Sequence, residues 1–184
     1  MSPIAWAAVA VVAVLLLSVL VMYNRFVRQR TLVDESWGGI DVELTRRHDL
    51  IPQLVETVKG YAAHEQEVLS RLVEAREAAT AHHDDSPAHR EGFEDSLGGA
   101  LQQVLARVEA YPDLKASQSF LSLQEELTNT EDRIAASRRF YNGNVRAYNT
   151  RVRTFPSNLV ATAFGFEVRG FFELQEPASR AVAG

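Results

Sequence analysis

Twenty consecutive residues, Pro3 to Met22 (PIAWAAVAVVAVLLLSVLVM), carry no charge. As a helix rising about 1.5 Å per residue, that run matches the roughly 30 Å hydrocarbon core of a bilayer. A cleavable signal peptide would need a basic leader before the run and small residues at a cleavage site after it. No Lys or Arg precedes it, and Met22-Tyr23-Asn24-Arg25 follows. The reading is an uncleaved anchor over residues 1–24. Arg25, Arg28 and Arg30 lie just after the span, so the positive-inside tendency places the N-terminus outside and the remainder in the cytoplasm. Trp6 and Tyr23 sit near the two ends of the span, where amphipathic rings are favoured.

Beyond the anchor, apolar residues recur in alternating steps of four and three. The positions run Val33, Trp37, Ile40, Leu44, Arg47, Ile51, Leu54, Val58, Tyr61, Glu65, Val68, Leu72, Ala75 and Ala79. All but Arg47 and Glu65 are apolar or aromatic, the mark of a helix seam packed against other helices. Because the phase runs unbroken through Pro52, the pattern predicts one long helix bent at the proline, whose ring clashes with the carbonyl of His48. Arg47 and Glu65 are candidate buried polar positions on that seam. The polar stretch at residues 80–92 predicts a loop. Phe93, Leu97, Leu101, Val104, Val108 and Tyr111 then predict a shorter helix, with Gly98-Gly99 weakening its first turns. Phe120, Leu127, Ile134, Tyr141, Tyr148 and Phe155 recur every seven residues and predict a helix from about Ser119 to Phe155. The apolar, Gly-interrupted stretch holding Phe164, Phe166, Phe171 and Phe172 could cap the core or touch the membrane interface. No segment alternates like a strand. The fold expected is all-α: a transmembrane helix, then an antiparallel bundle over 25–174, with a flexible tail at 175–184.

Three stretches carry a resemblance: VDESWGGIDVELTRRHDLIPQLVETVKGYAAHE, EAYPDLKASQSFLSLQEELTNTEDRIAASRRFYNGNVRAYNTRV and FPSNLVATAFGF. In these words and their order the chain resembles the bacterial LemA family, from about Tyr23 to Phe172. The resemblance implies a membrane-anchored, antiparallel, up-and-down four-helix bundle. It implies no reaction, and one branch of the family, associated with magnetosome membranes, hints at a membrane-organising role.

The residues themselves offer little chemistry. There is no cysteine, which excludes disulfides, thiolate metal sites and cysteine nucleophiles. A formal charge of −5 argues against a nucleic-acid partner. No phosphate-cradling glycine loop or nucleophile elbow is present. His64-Glu65 lacks the second histidine of a zinc-protease helix. His48, Asp49, Glu56 and His64 make a weak hydrolase set, and His82, His83, Asp84, Asp85 and His89 read as a solvated loop able to bind metal opportunistically. No catalytic, cofactor or metal residue is assigned, and no small-molecule substrate is expected.

One charge feature stands out. Between Arg133 and Phe166 there are six arginines and no acid, and Arg139, Arg146 and Arg153 repeat every seven residues. That stripe fits an acidic partner or anionic lipid headgroups. The expected function is a membrane-anchored scaffold or adaptor rather than an enzyme, with protein partners and self-association through helix faces. An organiser of membrane shape or compartment is the alternative.

Overall fold

A computed structural model describes residues 2–62 and 64–174; the expected tail at 175–184 lies outside the described residues. Among these residues there are helices and no strands. Helix α1 spans Pro3–Lys59, α2 Gln66–Ala81, α3 Pro87–Val108, α4 Pro112–Lys115, α5 Gln118–Arg153 and α6 Ser157–Phe164. The first part of α1 is long and apolar enough to cross a membrane, and no residue of that window is buried by the rest of the chain.

The helix does not stop at Pro52. Proline lacks the N–H that would bond the carbonyl four residues back. The carbonyl so freed, that of His48, instead accepts a hydrogen bond from Arg76 Nε on α2 at 2.7 Å. The long helix ends later than the proline but earlier than the seam predicts. It stops at Lys59, and the chain reverses before Gln66 so that α2 folds back along α1. Tyr61, a predicted seam position, is therefore exposed. Glycine at position 60 weakens the helix there, and doubling back buries Val58, Leu69 and Leu72 against the same core, which a single extended rod would leave wet. The loop at 80–92 is also shorter than expected. Pro87 opens α3 as its first residue, where its missing N–H costs nothing, behind an extended Ser86.

Helices α1, α2, α3 and α5 run up, down, up and down at the end far from the anchor. Their seams close one core around Ile51, Leu54, Leu72, Leu97, Val104 and Leu127. Near the anchor only α1 and α5 continue, antiparallel, with Phe26 against Tyr148 and Trp37 against Tyr141. Here α6 and an extended strap, residues 165–174, take the place of α2 and α3. Gly165 ends α6 at φ 69°, a left-handed conformation that glycine adopts without strain, and sends the chain back along α5. Asn149 holds the strap by both faces of its amide, donating to the Arg169 carbonyl and accepting from the Arg169 N–H, each at 2.8 Å. Asn142 does the same with Phe172. Phe166 and Phe172 are thereby buried and the strap lies along the bundle, while Phe164 of the same apolar stretch stays exposed. Phe155 is the exception to the seven-residue repeat: it falls beyond the end of α5 and is 74% exposed.

Candidate functional site

Where the two cores meet, charged side chains are buried together. Arg47 of α1 is 1% exposed, Arg90 of α3 is 2% and Glu94 of α3 is 1%. Arg47 reaches Glu94 at 2.5 Å and Glu131 of α5 at 2.9 Å, tying three helices at one point. His48 Nε2 lies 3.2 Å from the other Glu94 oxygen. Arg90 donates to Asp41 and to the His83 carbonyl, each at 2.8 Å, and its guanidinium lies 5.2 Å above the Trp37 ring. Burial pushes the Glu94 carboxyl up, but the His48 hydrogen bond and the Arg47 charge pull it further down, to a net position below its ordinary range. Burial likewise opposes the charge on Arg47, and the Glu131 and Glu94 carboxylates more than restore it. The cluster ties α1, α3 and α5 together, with Arg47, Arg90 and Glu94 closed off from solvent and the Asp41 and Glu131 carboxylates at its partly exposed edge.

Glu65, the other polar seam position, lies at the turn before α2. It accepts a hydrogen bond from Tyr111 at 3.0 Å, which raises the Tyr111 hydroxyl above its usual range, and it faces Arg107 at 4.0 Å. Arg139, Arg146 and Arg153 all lie exposed on α5. Among the described residues no side chain or backbone group pairs with any of the three. The weak hydrolase set is not assembled. His48 is buried in the ion cluster, Asp49 and His64 are exposed, and Glu56 pairs with Lys59 on the surface. The group among the described residues whose ligand atoms converge is His82, Asp85 and His89. Both histidines place Nδ1 at 2.7 Å from one Asp85 oxygen, and His82 stacks on Phe93. These are hydrogen bonds between partly exposed groups, and they hold the Asp85 carboxyl below its usual range.

Sequence reasoning missed Arg76, Arg90, Glu94, Asn142 and Asn149. A signal for two of them exists. Leu97, Leu101, Val104 and Val108 extend backward in the same four-three rhythm to Glu94 and Arg90, a charged start to a seam that faces the charged Arg47.

The chain matches the LemA family over residues 36–183. It is 29% identical to Protein LemA of Metamycoplasma hominis over 155 residues, covering 83% of this chain and 69% of that one. It is 24% identical to Magnetosome protein MamQ 2 of Paramagnetospirillum magneticum over 185 residues, covering 88% and 68%. Magnetosome protein MamQ of Magnetospirillum gryphiswaldense is 23% identical over the same shares.

Proposed function

Because the chain belongs to the LemA family, we propose that it is a single-pass, membrane-anchored helical scaffold that works through non-covalent contacts. The observation that carries this reading is the continuity of α1, one helix from the charge-free span into the bundle. A domain joined by helix rather than by loop follows the axis of its anchor. It meets partners at the membrane with a raised effective concentration. The burial of Arg47, Arg90 and Glu94 fits a cluster that orders helices.

The contact surface in this reading is Arg139, Arg146 and Arg153. Two seven-residue steps separate the first from the last, about 21 Å along α5. That is more than twice the Debye length of about 8 Å at physiological salt. With the bundle upright, lipid headgroups reach the Arg153 end alone, and the rest of the stripe faces sideways. An acidic protein surface is the partner that fits it. Arg25, Arg28 and Arg30 favour a bundle on the cytoplasmic side.

A photo-crosslinking residue in place of Arg146, the middle of the stripe, tests the reading in intact membranes. The expected result is a discrete adduct that weakens with salt and disappears when Arg139 and Arg153 are changed to Gln. Adduct formation indifferent to both changes overturns the assignment. The second reading, a membrane-compartment organiser, is favoured by the MamQ relatives, which align with 88% of this chain. It expects crosslinks to anionic lipid instead.

A further inference from the structure

Residues 154–166 (TFPSNLVATAFGF) carry no charge, yet α6 buries only Val160 and Ala161. Its outward side leaves Leu159 61% and Phe164 53% exposed, beside Phe155. An apolar patch of this kind on a water-facing bundle calls for a covering.

The register of α1 against α5 says where the patch lies. Phe26 stands opposite Tyr148. The end of α5 at Arg153 is five residues further on, about 7.5 Å nearer the anchor, and so level with about Val21 of α1. The chain then turns at Phe155 and enters α6. Phe164 packs on Tyr23, with ring centroids 5.0 Å apart, and Met22 packs against the same core as α6. The whole corner therefore lies level with the last turn of the Pro3–Met22 span. Exposed arginines stand at its upper edge: Arg153 on α5, with Arg25 and Arg28 on α1.

We propose that the α5–α6 corner is a second membrane contact, a foot that seats Phe155, Leu159 and Phe164 in the boundary between headgroups and acyl chains of the leaflet from which α1 emerges. The proposal rests on the anchored reading given above. Aromatic and aliphatic side chains with arginines above them suit that depth, because the rings sit at the interface while the guanidiniums reach the headgroup phosphates. With α1 as one attachment and the foot as another, the bundle cannot rotate about its anchor or tilt away from the foot. The outward direction of the arginine stripe is then fixed relative to the membrane.

The natural chain has no cysteine, so single labels can be placed in the full-length protein. Val12→Cys, Leu159→Cys and Leu121→Cys are each labelled with an environment-sensitive fluorophore. The protein is reconstituted in phosphatidylcholine vesicles containing a minority of phosphatidylglycerol, with and without a lipid spin-labelled high on its acyl chain. The expected result is strong quenching and a blue-shifted emission at position 159, with position 121, at the far end of α5, unquenched. Position 12 reports the anchor separately, by quenching from a spin label deep in the chain. Quenching at 12 without quenching at 159 overturns the foot and leaves the anchor standing. A label at 159 that is shielded from water yet untouched by lipid quenchers identifies the patch as a contact between copies of this chain, and overturns the foot as well. Failure of quenching at 12 removes the anchored reading and the foot together.

Discussion

The hydrogen bond between Arg76 and the His48 carbonyl exists because Pro52 removed the donor that would normally occupy that carbonyl, and this dependence can be measured. Replacing Arg76 with Met keeps the aliphatic stem and removes the guanidinium. A bond from a charged donor contributes about 1.5–3 kcal/mol, and since this one is only partly buried, the lower figure of about 1.5 kcal/mol applies. For a chain of this size each kcal/mol shifts Tm by about 2–4 °C, so Arg76→Met lowers Tm by about 3–6 °C. Pro52 is exposed, and its replacement by Ala restores a backbone N–H four residues after His48. Pro52→Ala alone raises Tm, because an interior proline costs a helix about 3 kcal/mol. In that background Arg76 has lost its task, and Arg76→Met costs about 0.5 kcal/mol or less, leaving a coupling of about 1 kcal/mol. Thermal unfolding of the four full-length proteins in the same detergent, followed by far-ultraviolet circular dichroism, reads this cycle. An Arg76→Met penalty equal in both backgrounds refutes the reasoning.

The ion cluster makes its own predictions. Glu94→Leu leaves Arg47 with Glu131 as its one carboxylate partner and lowers stability by about 3–5 kcal/mol, whereas Arg47→Met with Glu94→Leu recovers part of that loss, as a double-mutant denaturation series would show. Glu94 has a folded-state pKa below its unfolded value, so its contribution is complete above the unfolded value of about 4.3 and is lost as pH falls through the lower folded value. Tm measured from neutral pH downward should fall more steeply below that point in the natural chain than in Glu94→Gln. Asn149→Leu leaves both backbone groups of Arg169 without their partners. It should speed amide exchange at Arg169 and Phe172 by about tenfold or more, read by hydrogen exchange, while leaving the core of α3 unchanged.

Periodicity carried the architecture a long way. A charge-free run of membrane length, seams in the rhythm of four and three, and the repeat from Phe120 to Tyr148 are local properties of the chain. They determined an anchor-length helix, the all-α class and most of the core. They could not determine where a seam is one helix and where it is two. The seam from Val33 to Ala79 keeps its phase across the reversal between α1 and α2, and periodicity has no term for the direction in which the chain continues. Nor could they determine which polar residues are inside. Arg47 stood out as a charge on a seam, but Glu94 and Glu131 became its partners only when α3 and α5 packed beside α1, 47 and 84 positions further along the chain. The strap is the same case. Nothing local makes 165–174 lie along α5, where two asparagine amides replace the hydrogen bonds a neighbouring strand would supply. Seams come from side-chain pattern along one helix, which a sequence contains in full. The turn, the buried charges and the strap come from pairings between distant segments, which exist only once burial has brought those segments together.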